Sequence, residues 1–285
     1  MLDTSFLSQL KKFSIIVQKR VTSSYSGARK SIATGKGLTI KDFREYTKGD
    51  DLRRIDWKLF SRTDRLYLRQ YEEERNFTVH IILDASASMN FGKPTTKFEY
   101  GALLGVGFAY LAMRDNDKFE FTTFANELSP IRPKKGMAQL ASIVELLNKV
   151  KPSGDSKFEE NMSQFRHYLK TRSLIIVISD YLFDIEQIRR GLLRLSNGNH
   201  EIKVIQVLDS EEKDLRIEGD IRLHDSESDM TMVTYLSKRL KEKYMQKLNE
   251  HSSRIHDVGY EAKAKFYQVC TDQPIFDSFY QVLYG

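Results

Sequence analysis

The chain has 285 residues, of which 40% are hydrophobic and 29% charged, with a formal net charge of +6 and a sequence pI of about 9.1. That length suits one α/β domain plus a flanking segment, and no run approaches the ~18 uninterrupted apolar residues of a membrane-crossing helix, so a helical span is excluded. A single cysteine, Cys270, excludes an internal disulfide framework and fits a reducing compartment, so a cytoplasmic protein is expected.

Residues 1–75 hold 17 Lys and Arg against 10 Asp and Glu, whereas residues 76–285 hold 28 against 29. The basic excess is interleaved with acids, as on a solvated surface; an acidic partner, nucleic acid or an anionic membrane is the alternative. Leu2–Arg20 is amphipathic, with Phe6, Leu7, Leu10, Phe13 and Val17 at helical spacing. Lys11 and Lys12 interrupt its apolar positions, against a secretory signal. We expect this stretch to pack on the main domain, with peripheral contact to an anionic membrane as the alternative. The chain then turns irregular through Gly27, Gly35, Gly37 and Gly49 before Leu66–Tyr71 reads as a strand. In the block Gly49–Trp57, arginines, acids and the only Trp predict a buried anchor, Trp57 packed on the sheet and arginine–carboxylate pairs locking the loop, with partner recognition as the alternative. Residues 1–75 are thus expected to form an N-terminal extension packed on a main domain of residues 76–285.

From Phe77 onward short apolar runs alternate with helical patterns. Strands are predicted over Thr78–Leu83, Lys118–Phe124, Leu174–Ser179, Lys203–Leu208 and Lys265–Cys270, with Glu127–Arg132 as a short antiparallel edge. Helices are predicted over Phe98–Met113, Met137–Val150, Phe158–Leu169, Ile185–Leu195 and Thr231–Ile255. Leu174–Ile178 is apolar at every position, as in a central strand covered on both faces. The acidic segment 209–229, which contains Asp225-Ser226-Glu227, predicts a small hairpin insertion. The alternation defines an α/β, doubly wound, mostly parallel sheet of Rossmann-like type with an N-terminal extension.

The first strand runs into Asp84-Ala85-Ser86-Ala87-Ser88. Residues two apart in extended chain share a side, so Asp84, Ser86 and Ser88 can aim three oxygens at one point. Hard divalent cations take such oxygen sets, although Ser86 and Ser88 suit capping of a following helix equally well. In open α/β sheets ligands collect at the carboxyl ends of strands beside the point where strand order reverses. A second carboxylate, Asp180, follows the strand Leu174–Ser179, and the turn Pro152–Phe158 offers Ser156 or Ser153.

The order D-x-S-x-S, a Gly-x-Ser turn and an apolar strand ending in Asp resembles the metal-ion-dependent adhesion site of von Willebrand factor A domains. That resemblance implies Mg²⁺ or Mn²⁺ held by Asp84, Ser86, Ser88, Ser156 and Asp180. Three hydroxyls and two carboxylates, some acting through water, leave one position free for an Asp or Glu carboxylate of a protein partner. Further residues narrow the match: Gly35-Lys36-Gly37, Phe43-Arg44-Glu45-Tyr46, the block Gly49–Lys58, Arg62 and Tyr71-Glu72-Glu73-Glu74. With the D-x-S-x-S strand they resemble the bacterial family catalogued as domain of unknown function 58. Many members carry two membrane helices ahead of this region; none stands here, so a soluble, shorter member is expected. The family implies partnership with MoxR-type AAA+ ATPases in assembling or activating other complexes.

A non-enzymatic interaction module follows from this reading. Its rival is a metal-dependent phosphohydrolase with Asp84 as nucleophile, but such enzymes need a second acid two residues on, where Ser86 stands. No P-loop, zinc-ligand spacing or nucleic-acid motif occurs, and acids among the arginines of residues 41–71 would repel phosphate, so no nucleic-acid partner is expected.

Overall fold

The computed structural model describes residues 34–72, 77–198, 200–214, 219–224 and 231–285. The expectations placed on Leu2–Arg20, Gly27, Glu73-Glu74 and Asp225-Ser226-Glu227 lie outside them. The described residues fall into two compact units, divided in sequence between residues 76 and 77.

In the smaller unit β1 (Thr34–Glu45) pairs antiparallel with β2 (Tyr67–Glu72), Phe43 opposite Arg69 and Glu45 opposite Tyr67. Between them Asp56 caps α1 (Trp57–Thr63), its carboxylate accepting from the amides of Lys58 and Leu59 at 3.0 Å. The loop ahead is pinned by Asp50, which accepts from Arg44 at 2.8 Å and from the Thr47 amide at 2.9 Å. These donors hold the Asp50 carboxyl well below the usual carboxylate range. The expected Trp57 anchor is corrected here: its side chain is 60% exposed and meets Phe60 edge-on at 6.1 Å. The reason is local. Ile55, bridged to Leu68, turns inward with it, and the Asp56 cap then starts the helix with Trp57 on its outer side.

The larger unit is built on a six-stranded sheet in the order β10-β7-β6-β3-β4-β5. Its strands are β3 (Thr78–Asp84), β4 (Lys118–Phe124), β5 (Leu128–Pro130), β6 (Ser173–Ser179), β7 (Glu201–Leu208) and β10 (Ala264–Cys270). All pairs are parallel except β4 with β5. The apolar runs form strands because they are buried on both faces: Ile81, Leu83, Ile176 and Ile178 face one helix layer, and Ile82, Ile175 and Val177 face the other. The first layer is α2 (Lys97–Arg114), α3 (Met137–Leu147) and α8 (Ile275–Tyr284). The second is α4 (Phe158–Phe165), α5 (Ile185–Ser196) and α7 (Lys238–Glu261). Helix α2 lies very close to the sheet, since a Cβ on Gly105 would come within 2.6 Å of the Phe121 ring. Its start is fixed by a capping box in which the Glu99 amide donates to Thr96 Oγ1 and the Thr96 amide to Glu99.

Three expected elements are corrected. Residues Thr231–Leu236 form β9, paired with β8 (Gly219–His224) from Gly219–Leu236 to His224–Thr231, rather than the start of a helix. Thr231, Val233 and Tyr235 suit a strand face, and the helix begins only after Ser237, whose hydroxyl accepts from the Leu240 amide at 3.3 Å. The hairpin expected within 209–229 therefore takes its second strand from beyond that range, and its first residues instead form a short helix, α6 (Ser210–Asp214). The helix from Phe158 tightens to a 3₁₀ turn at Arg166–Tyr168. Among the described residues no helix is long and apolar enough to cross a membrane.

The chain passes from β3 to β4 on one side and returns to β6 on the other, so strand order reverses between β3 and β6. Their carboxyl ends carry Asp84 and Ser179-Asp180.

Candidate functional site

Asp84 closes β3 and is fully buried. Its Oδ1 accepts from the Ser86 amide at 2.8 Å, and its Oδ2 accepts from the hydroxyls of Ser156 at 3.0 Å and Ser179 at 2.7 Å. Ser86 and Ser88 face each other, hydroxyl to hydroxyl, at 3.1 Å. Ser86 sits at the N-cap of the 3₁₀ turn Ala87–Asn90, yet its side chain makes no cap bond, so the capping role weighed from sequence is not the one its hydroxyl takes.

The turn that presents Ser156 is fastened to this loop by backbone. The Ala87 amide donates to the Gly154 carbonyl and the Ser153 amide to the Ala85 carbonyl, both at 2.9 Å. Gly154 has φ +79°, and a Cβ there would meet the Asn126 side-chain amide at 2.4 Å, so both the backbone conformation and the close approach require glycine. Of the two serines offered by sequence, Ser156 delivers its hydroxyl to Asp84 while Ser153 contributes its backbone.

Asp180 stands at the same edge, 1% exposed, without a bond to Asp84. Its Oδ2 accepts from the Lys97 ammonium at 2.8 Å and its Oδ1 from the Leu182 amide at 3.3 Å. Gln206 donates to the Asp180 carbonyl at 3.0 Å, and Tyr181 is held at φ +53° with its carbonyl bonded to His251 at 2.7 Å. A bulky residue at positive φ is strained, and the contacts around Tyr181 impose it.

Four residues at this edge were missed from sequence. Ser179 continues the β3–β6 register into the Asp84 carboxylate, but inside an apolar strand it reads as a strand terminus. Lys97 is only 1% exposed and bridges Asp180 to Glu212 of α6, at 2.8 and 2.6 Å. The Asp209 amide holds the second Glu212 oxygen at 3.0 Å, while the Asp209 carboxylate accepts from Thr271 at 2.6 Å. Glu212 and Asp209 sit in an acidic segment that sequence reads as a small hairpin insertion. The one available signal was Lys97 in the first turn of a helix, the end whose dipole disfavours a cation.

Burial, and after it the charge of Asp180, pushes the Asp84 carboxyl up to about 6. Burial also works against the Lys97 charge, but Asp180 and Glu212 outweigh it and hold the ammonium above its ordinary pKa. The two carboxylates are therefore unlike: Asp180 has a cation, and among the described residues Asp84 bonds only neutral donors. No group of three or more His, Cys, Asp and Glu able to hold a metal occurs among the described residues; the donors around Asp84 are hydroxyls and an amide. Oxygen donors of this kind suit a hard ion such as Mg²⁺ or Mn²⁺, and a buried carboxylate without a counter-charge is where a cation is favoured.

The strand order, with its switch point carrying these loops, defines a doubly wound α/β domain with a ligand-type edge at the carboxyl ends of β3 and β6. The family described as "Protein of unknown function DUF58" matches residues 42–254, and the chain belongs to it. Uncharacterized proteins of Mycobacterium tuberculosis and Mycobacterium bovis are each 22% identical over 259 residues, covering 89% of this chain and 81% of theirs. Among solved structures, BatB from Bacteroides thetaiotaomicron is 15% identical, covering 73% of this chain and 97% of its own, with a TM-score of 0.47. An aerotolerance-related membrane protein from Bacteroides fragilis is 16% identical over 73% and 96%, TM-score 0.49. The SpRpn10 VWA domain is 15% identical over 72% and 94%, TM-score 0.46.

Proposed function

We propose that this protein is a non-enzymatic, metal-dependent protein-interaction module. Asp84, Ser86, Ser88, Ser156 and Asp180 would hold Mg²⁺ or Mn²⁺, which when bound supplies an electrophilic position for an Asp or Glu carboxylate of a protein partner. The observation that supports this reading is Asp84: a fully buried carboxylate at the switch point, bonded to one amide and two hydroxyls with no cation among its bonds. The chain's own residues prepare the site. Ser179 and the Ser86 amide fix the orientation of Asp84, the Gly154 turn carries Ser156 to it, and Gln206 and Tyr181 steady the loop of Asp180.

The resemblance of the motif blocks to the DUF58 family supports an adaptor role beside a MoxR-type AAA+ ATPase, in assembly or activation of other complexes and in the cytoplasm. The phosphohydrolase alternative gains nothing from the geometry, since the position two residues beyond Asp84, where such an enzyme needs its second acid, holds Ser86, whose amide and hydroxyl face Asp84 and Ser88. Capture of a MoxR-type ATPase by the full chain tests the reading. Capture should require Mg²⁺ or Mn²⁺, stop with chelator, and be lost in Asp84→Ala and Asp180→Ala; equal capture by all three proteins, with or without metal, defeats it.

A further inference from the structure

We propose that Lys97 is a tethered cation that shares Asp180 with the divalent ion and thereby sets how tightly the site holds that ion. The inference rests on the metal reading above. Lys97 occupies the first position of α2, where the helix dipole disfavours positive charge, and its side chain is 1% exposed. Burial of an ammonium there is unfavourable unless carboxylates compensate it. Two do so. Asp180 Oδ2 lies at 2.8 Å and Glu212 Oε1 at 2.6 Å from Nζ, and the Phe91 ring covers the ammonium at 5.8 Å.

The position of the second carboxylate makes Lys97 an adjustable competitor rather than a fixed plug. Asp180 is engaged by Lys97 through one oxygen and by a long 3.3 Å bond from the Leu182 amide through the other. A cation drawing on Asp180 meets the repulsion of an ammonium already seated there. Glu212 gives that ammonium somewhere to go: it is held in place by the Asp209 amide, and lysine's flexible stem and point charge allow Nζ to lean from one carboxylate to the other. Asp84, Asp180, Asp209 and Glu212 against the single cation Lys97 leave the edge net negative when all are ionised, a charge that a divalent ion offsets. Occupancy therefore moves Lys97 off Asp180 and onto Glu212, tying α6 to the state of the site.

The test is Mn²⁺ titration followed by electron paramagnetic resonance of the free ion, on wild type, Lys97→Met, Glu212→Gln, Asp180→Asn and the double variant Lys97→Met/Asp180→Asn. Lys97→Met should bind Mn²⁺ at least tenfold more tightly, and the gain should vanish in the Asp180→Asn background, as a double-mutant cycle requires of a shared partner. Glu212→Gln leaves the ammonium wholly on Asp180 and should weaken binding several-fold; it reads the proposal independently should Lys97→Met not fold. Wild-type binding that Lys97→Met fails to tighten, or a gain that persists with Asp180→Asn, overturns the role of Lys97 and leaves the metal reading standing. Absence of Mn²⁺ binding in wild type and Lys97→Met alike overturns the metal reading and this inference with it.

Discussion

Strands β3, β4 and β6 carry a buried polar cluster at each end, and the two are built on opposite principles. Toward their amino ends His80 bonds Glu120 at 2.5 Å through Nδ1 and Ser173 at 3.1 Å through Nε2, and the Ser173 hydroxyl donates to the Thr171 carbonyl at 2.7 Å. Each of these side chains bonds a neighbour of the cluster or the backbone, and none is more than 3% exposed. Toward the carboxyl ends Asp84 is equally buried and equally hydrogen-bonded, yet the groups that bond it are neutral. Hydrogen-bond satisfaction is thus common to both ends, and the partners differ: Glu120 bonds a basic imidazole, whereas Asp84 bonds only an amide and hydroxyls. A closed network stabilises and specifies a core; a buried charge left uncompensated costs stability and keeps a place for a cation.

Substitutions at the two ends should consequently have opposite signs. The largest effect is expected at the closed end, where His80→Ala leaves Glu120 buried beside a void and should cost about 3–5 kcal/mol in urea unfolding. A loss no larger than that of an exposed substitution would end the distinction between the clusters. At the other end Asp84→Asn should stabilise the metal-free protein at neutral pH by on the order of 3 kcal/mol, from the rise of its pKa from 3.8 to about 6. The sign follows from a folded pKa above the unfolded one: the wild type's relative stability is full below about pH 4 and lost as pH climbs through about 6. The variant's advantage should therefore open between those values and stay constant above them. Unfolding in chelator at pH 4, 5, 6 and 7.5 checks this, and a destabilised Asp84→Asn at pH 7.5 would refute it.

A smaller effect is expected at Lys203, near the start of β7. It is 4% exposed, donates to the Val282 carbonyl at 2.7 Å and to the Tyr267 hydroxyl at 3.2 Å, and burial lowers its pKa to about 8. A depressed amine pKa means stability is gained as pH rises from about 8 toward the ordinary lysine value and lost below. Lys203→Met should hence be favoured over wild type at pH 7 and lose that lead by pH 10, as thermal melts at the two pH values can show. The smallest effect belongs to Trp57, where 60% exposure limits Trp57→Ala to within about 0.5 kcal/mol.

Much of the fold was legible because the sheet is buried on both faces. A strand such as Lys118–Phe124 or Leu174–Ser179 announces itself by apolar, β-branched and aromatic runs bounded by polar residues, and the structure extends most of these by only a residue or two. Thr231–Leu236 misled because Met232, Tyr235 and Leu236 also fall at helical spacing, and the pairing that makes it a strand comes from Gly219–His224 across the hairpin. Trp57 misled because residue type says nothing of which side of a capped turn a side chain leaves by.

At the candidate site the local part was readable: alternation through Asp84, Ser86 and Ser88 is a property of one strand end, and the Asp84 and Asp180 carboxylates follow from two parallel strands ending at one edge. The rest was not, for a geometric reason. Ser156 and Ser153 are three residues apart, and only the backbone clasp of Gly154 to Ala87 decides which hydroxyl reaches Asp84. Lys97 and Glu212 are 115 residues apart and each reads as surface until α2 and α6 are brought against the same sheet edge.

The central claim is that the uncompensated charge of Asp84 holds a divalent ion. Direct calorimetric titration of Mg²⁺ and Mn²⁺ into the full chain at pH 7.5, beside Asp84→Asn, tests it most directly. The account predicts one ion per chain for the wild type and none for the variant, which by its own stability remains folded. Equal heats from both proteins, or none from either, would contradict it.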